Sequence, residues 1–496
     1  MDISEGLKNL LSPGHTLTQR VARGGVWIFI LRVSDRLLDV LRVLVLARLL
    51  APEEFGLLGI ALLVIAILES FSEPGFDTAL VQKKSDTNSY LNTAWTVQIT
   101  RGIMLFVLVF SLSGWVGTFF KTPGAVLVIR ALALNLLLAG FRNIGLIYLK
   151  KELEVNKQFV YYFVASIVDL SVTIWAAFIL RNVWALVLGL MARHVTALVL
   201  SYVIHPYRPR IEPSWDKARE LFTYGKWVLG SNILLFLLTH GDDMLVAKMF
   251  GTAALGFYQM AYRISNVPAT EITHVISQVT FPAYSKLQDE PSKLRRAYLQ
   301  AMEATTFLSF PVAALIFVLA PDFTRIFLHQ RWLPMVPALQ VLCLFGITRS
   351  FGATTGPLFY GVGRPRILTG LTMFQLAVLA AIIYPLTRRF DIMGASVAVV
   401  IPMLITQVIA AVYVIRIIKC STAGFIQSLL YPLIASLVMI GCVAFILSRM
   451  GTIGILGFIW AAVMGALSYI AQMYIFEKLF GYNILRVALR SLFQRD

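Results

Sequence analysis

An all-α polytopic membrane protein of about 14 transmembrane helices is the fold class this sequence predicts. Three observations lead there. The chain is 58% hydrophobic and only 14% charged, with a mean hydropathy of +0.77, whereas soluble domains average about 25% charged. Apolar runs of about 20 residues, the length that crosses roughly 30 Å of hydrocarbon, recur from end to end. Basic residues gather in alternate loops between those runs.

Read against their Gly, Pro and polar breakers, the first runs fall at 25–49, 56–81, 92–119, 124–149, 158–180 and 183–205. After a basic linker come 223–250, 253–282, 298–320, 335–361, 366–387 and 392–417, then 427–448 and 453–476. Spans two, eight and ten carry internal Pro, Gly or polar residues and are the least regular. Met1 to Arg23 is polar, with no apolar core ahead of the first span, so it reads as a tail and not as a cleaved signal peptide. With that tail in the cytoplasm, about 25 Lys and Arg lie in the tails and cytoplasmic loops, against about nine on the far side. The positive-inside rule then places both termini in the cytoplasm. The net charge of +17 is thereby assigned to loops, and no nucleic-acid partner is expected.

A repeat organises the runs. Gly24, Val26 and Trp27 have counterparts in Tyr224 to Trp227. Ala47-Arg48-Leu49-Leu50 and Gly56-Leu57-Leu58 match Ala247-Lys248-Met249-Phe250 and Gly256-Phe257-Tyr258, all at one offset of 200. Six spans lie between the copies, so both run in the same direction across the membrane. The expectation is two six-helix lobes related by a pseudo-twofold along the membrane normal. The layout is a tail (1–24), an N-lobe (25–206), a cytoplasmic linker (207–222), a C-lobe (223–418), two extra C-terminal helices (419–476) and a tail (477–496).

The first span is energetically odd. Within Val26 to Leu50 stand Arg32, Asp35, Arg36, Asp39 and Arg42. At about 100° per residue they share roughly a third of the helix circumference. Ile28, Leu31, Leu37, Leu41 and Val45 form the opposite face. A charge at mid-membrane costs about 2.5–3.5 kcal/mol, while a Leu or Ile returns only about 0.3–0.6. The stripe must therefore face protein or a wet cavity.

Enzyme signatures are missing. The chain has no G-x-x-x-x-G-K-[ST], no H-E-x-x-H, no C-x-x-C and no G-x-S-x-G. Its loops are too short for a catalytic domain, and Cys343, Cys420 and Cys442 are scattered without metal spacing. No cofactor is expected.

Two stretches carry a family resemblance. Asp242-Asp243-Met244-Leu245-Val246-Ala247-Lys248-Met249-Phe250-Gly251, then Ala254-Leu255-Gly256-Phe257-Tyr258 and Ala261-Tyr262-Arg263, resembles the D-N-L-L-I-G-K-L-L-G … A-L-G-x-Y … A-Y-R signature. Pro74 to Lys83 with Leu91-Asn92-Thr93-Ala94-Trp95 is similar to the G-F-G-x-A-L-V-Q-R … L-N-T-A-F-W segment. Both belong to bacterial polysaccharide exporters and O-antigen (Wzx-type) oligosaccharide flippases of the MOP superfamily. Asp243 stands where Asn is common and Asp77 where Gly is common, and each adds negative charge.

The resemblance implies a flippase of the bacterial inner membrane. It would move an undecaprenyl-pyrophosphate-linked oligosaccharide to the periplasmic leaflet by alternating access, for O-antigen, exopolysaccharide or capsule. Membrane lipid, a polysaccharide polymerase and chain-length machinery are the implied partners. A diphosphate head group needs a cationic, wet path, and arginine suits phosphate because its planar fork binds two oxygens. Arg36 and Arg263, the deepest, are the leading substrate-binding candidates, followed by Arg32, Arg42, Arg130 and Arg349; the rival reading is structural ion pairing. Arg101, Arg142 and Arg193 lie closer to predicted span ends, where they could snorkel. Asp35, Asp39, Asp77 and Asp242 are candidates for ion coupling or for orienting arginines. Glu69, Glu73 and Asp77 share one face at a spacing of four. Pro74 and Pro268 are expected to break or kink spans two and eight. The competing functions are a MATE-like cation/drug antiporter, which would want an acidic cavity, and a lipid II flippase.

Overall fold

The structure, a computed structural model, describes residues 17–73, 80, 88–152, 154–451 and 453–480. Pro74 and Asp77 lie outside the described residues. Among the described residues the regular secondary structure is all helical, and the chain is a multi-pass membrane protein. Nine helices are long and apolar enough to cross a bilayer among these residues. Their outward faces carry Trp175, Val203, Val408 and Leu467, all exposed, an arrangement that suits hydrocarbon and would be costly in water.

Contacts divide the chain into two compact units, residues 1–256 and 257–496. In the first, α1 (Leu17–Leu49) is followed by α2 (Pro52–Ser72), α3 (Asn88–Phe119) and α4 (Ala125–Gly140). Then come α5 (Val155–Leu180) and α6 (Val183–Ile204). At 33 residues and 1.5 Å per residue, α1 is roughly 50 Å long and outreaches the hydrocarbon core. Pro52 in the first turn of α2 suits a helix start, because its missing N–H would have no partner there. α1 packs on α5, α3 on α4, and α5 on α6. Leu46, Leu50, Ile60, Ile129, Leu132 and Leu186 anchor the shared core.

α7 (Trp215–Ser265) carries a break at Gly251, where φ is +80°. Only glycine adopts that conformation without a steric penalty, and the break falls in the gap predicted between spans seven and eight. A second helix, α8 (Val267–Leu287), then begins with Pro268 in its first turn. Span eight is thus divided at Asn266, and Pro268 marks the break from the first turn of the next helix. Beyond it lie α9 (Pro291–Phe323), α10 (Val336–Gly361) and α11 (Pro365–Ile418). α11 is broken at Phe390 and Asp391, the latter with φ +52°, matching the predicted gap between spans 366–387 and 392–417. In the first unit, Arg181 holds the same left-handed conformation, φ +50°, between α5 and α6. α12 (Thr422–Met450) and α13 (Ile455–Phe480) pack on α9 through Ala314, Ala435, Met439 and Tyr469.

The offset of 200 in the sequence has a physical counterpart within the first unit. A Cβ added at Gly56 would stand 1.7 Å from the carbonyl oxygen of Thr252, and one at Gly256 would stand 2.1 Å from that of Pro52. Each glycine therefore rests on the backbone of the other copy, and the two contacts are reciprocal.

Candidate functional site

The charged face of α1 is turned inward. Leu37 is 66% exposed, and Ile30, Val33, Val40 and Leu41 are also exposed. The side chains of Arg36, Asp39 and Arg42 are 29%, 30% and 18% exposed. Arg32 and Asp35 are likewise half-buried. The energetic argument made on the sequence thus predicts the helix's rotation. Arg36 lies 3.6 Å from Asp39 on the same helix.

Arg42 reaches α5. Its Nη1 donates to Oδ2 of Asp169 at 2.8 Å, and Asp169 is buried at 2% exposure. Thr173 Oγ1 donates to Asp169 Oδ1 at 3.0 Å, and Arg193 of α6 stands 3.8 Å from Oδ2. One carboxylate thereby ties three helices. Asp169 was not among the sequence candidates, yet a lone acid in the middle of an apolar span is flagged by the same cost that flagged α1.

A cavity of about 270 Å³ lies between α2, α3, α4 and α5. Arg101, Arg142, Glu69 and Glu73 supply its charge, with Gln98 and Tyr161 beside them. Arg101 closes the end of α2: its Nε donates to Ser72 Oγ at 3.1 Å and its Nη2 to the Glu69 carbonyl at 3.0 Å. Cations are favoured at a helix C-terminus, where carbonyls have no intrahelical donor. Arg142 differs. Its carbonyl accepts from Trp95 and Gln98, while its side-chain Nε is buried without a hydrogen-bond partner among the described residues. Neither arginine escapes to the surface; both line the cavity, although sequence position suggested that they could snorkel.

The second unit encloses a larger cavity of about 740 Å³, between α8, α10 and α11. It contains Arg349, the amides of Gln375 and Gln407, several hydroxyls and no carboxylate among the described residues. Arg349 Nη1 donates to Tyr262 Oη at 3.5 Å.

The remaining candidates are dispersed. Arg130 packs between α3 and α4, its Nε donating to Ser113 Oγ at 2.9 Å and its guanidinium 4.8 Å from the centre of the Phe110 ring. That is a cation–π clamp. Arg263 is exposed in the last turn of α7. Asp242 is buried in α7, and its neighbour Asp243 pairs with His240 at 3.4 Å.

Apolar helices that cross a membrane while enclosing polar cavities and buried ion pairs define a membrane transporter. The family follows from comparison. The model described as "Polysaccharide biosynthesis protein" matches residues 45–337, more than half of the chain, and the chain belongs to that family. It is 25% identical over 425 residues to lipopolysaccharide biosynthesis protein WzxC of Escherichia coli (strain K12), covering 85% of this chain and 86% of that protein. It is 22% identical over 436 residues to succinoglycan biosynthesis transport protein ExoT of Rhizobium meliloti (strain 1021), covering 87% of each. The fold resembles the solved structure of lipid II flippase MurJ in an inward closed conformation, with TM-score 0.73 and 14% identity over 92% of this chain and 98% of that one.

Proposed function

We propose that the protein is a flippase that carries an undecaprenyl-pyrophosphate-linked oligosaccharide from the cytoplasmic to the periplasmic leaflet of the inner membrane, for surface polysaccharide assembly. The observation that carries this reading is Arg142, an intramembrane guanidinium whose Nε is buried, unpartnered and at the wall of a cavity. Leaving a buried donor unmet costs about 1–3 kcal/mol, and a diphosphate oxygen would meet it. The relatives' names, which speak of lipopolysaccharide and succinoglycan biosynthesis, support the same cargo class.

On this reading the charged stripe of α1 and Arg101 form the rest of the cationic path, and the polyprenyl tail stays in lipid. Two six-span lobes rock about the repeat axis, with both termini in the cytoplasm. Glu69 and Glu73 balance the cavity's arginines while it is empty. The same two carboxylates are what a cation antiporter would use, so drug sensitivity in a deletion strain separates the readings: it stays unchanged for a flippase.

Deletion in a strain without a paralogue is expected to leave short lipid-linked oligosaccharide on the cytoplasmic leaflet, and a normal surface polymer would sink the idea. Arg36→Ala and Arg263→Ala are expected to lower surface polymer while protein stays in the membrane, with Lys restoring part of it.

A further inference from the structure

The cavity of the second unit differs from the first in its chemistry. Gln375 Nε2 lies 3.5 Å from the Met403 sulfur, and Gln407 Nε2 lies 3.9 Å from that same atom. A thioether is a weak acceptor, so two amides that can each form several hydrogen bonds rest on one poor partner. The other end of the Gln407 amide is buried with none. Thr406 is 5% exposed and its hydroxyl is likewise unpartnered. Several helical hydroxyls in this unit, those of Thr305, Ser309 and Ser396 among them, satisfy themselves on the carbonyl four residues back, while Thr324 and Thr387 do not. Nor does Thr406. A space of about 740 Å³ falls within the roughly 300–1,000 Å³ range of small-molecule sites.

Unmet amide and hydroxyl groups, in a cavity lined among the described residues by an arginine and no carboxylate, suit a ligand that both donates and accepts and carries no positive charge. A sugar hydroxyl does both. We propose that this cavity is a saccharide site: Gln375, Gln407 and Thr406 hydrogen-bond sugar hydroxyls of the lipid-linked head group, Phe281 and Phe359 give it apolar walls, and Arg349 is its charged donor. This rests on the flippase reading and deepens it, since it gives the second unit the task of reading the sugar while the diphosphate is held elsewhere. Sites built on hydrogen bonds to hydroxyls discriminate strongly against analogues that lack them, because the site's own groups are then left unpaired.

The test uses the full-length protein in nanodiscs with three probes: farnesyl diphosphate, farnesyl-diphosphate-linked glucose and farnesyl-diphosphate-linked galactose. At least one glycosylated probe is expected to bind about tenfold tighter than bare farnesyl diphosphate, the size of one or two neutral hydrogen bonds. In Gln375→Leu/Gln407→Leu that gain should vanish, while affinity for the bare diphosphate and thermal stability stay as in the wild type. Equal binding of all three probes to the wild type overturns the saccharide site and leaves the flippase reading standing. Binding of none removes both. Retention of the sugar gain in the double variant overturns the assignment, and a fall in melting temperature without loss of the gain marks the amides as structural.

Discussion

Where α1, α5 and α6 meet in the first unit, polar chemistry is ionic and paired. Asp169 holds Arg42 at 2.8 Å and faces Arg193 at 3.8 Å, and Arg36 lies 3.6 Å from Asp39. Around the cavity of the second unit it is mostly neutral, Arg349 apart, and partly unspent: two amides lean on one sulfur, and a threonine hydroxyl is left over. The contrast shows how one chain can hold two kinds of site. Charge in hydrocarbon must be paired in the resting protein, because an unpaired ion is prohibitive. A neutral amide or hydroxyl can wait for its partner at a cost of about 1–3 kcal/mol. Recognition of an uncharged group can therefore be left unsatisfied between turnovers, whereas a cation that waits for its ligand, as Arg142 does, needs carboxylates such as Glu69 and Glu73 in the same cavity.

The sharpest way to break this contrast is Asp169→Ala. It removes the buried carboxylate that holds Arg42 and should destabilise the fold by about 3–5 kcal/mol, seen as a large drop in melting temperature in detergent. Arg142→Ala comes next. Removing a charge-assisted hydrogen bond worth about 1.5–3 kcal/mol should weaken farnesyl diphosphate binding by roughly 10- to 150-fold, with little change in stability and partial recovery in Arg142→Lys. The smallest effect has the opposite sign. Thr406→Val deletes an unpaired buried hydroxyl and should hold or raise stability by up to about 1 kcal/mol, while surface polymer falls. If Thr406→Val proved as damaging as Asp169→Ala, the two units would not differ as described.

How much of this could be read beforehand depended on whether the feature had a period. The stripe on α1 repeats every three or four residues and is costly in lipid, so both its existence and its inward rotation followed from the sequence. The repeat was visible because Trp, Ala-basic and Gly recur in fixed register. The breaks at Gly251 and Asp391 were marked by local polar and glycine punctuation. Asp169 has no periodic companion in α5, and its partner Arg42 lies 127 residues away; nothing local pairs them. Gln375, Thr406 and Gln407 are ordinary residues singly, and only folding assembles them around one space. Arg101 and Arg142 lie close enough to predicted span ends that snorkelling was open to them. α3 begins at Asn88, four residues before the expected start, and that extra turn moves Arg101 deeper into the bundle.

The reciprocal glycines have a mechanical consequence. Where Gly56 meets Thr252 and Gly256 meets Pro52, main chain bears on main chain, with no side chain between them to change rotamer. Such a joint has no soft layer. Residues 52–56 and 252–256 cannot draw closer or interleave differently, because any shortening would push backbone into backbone.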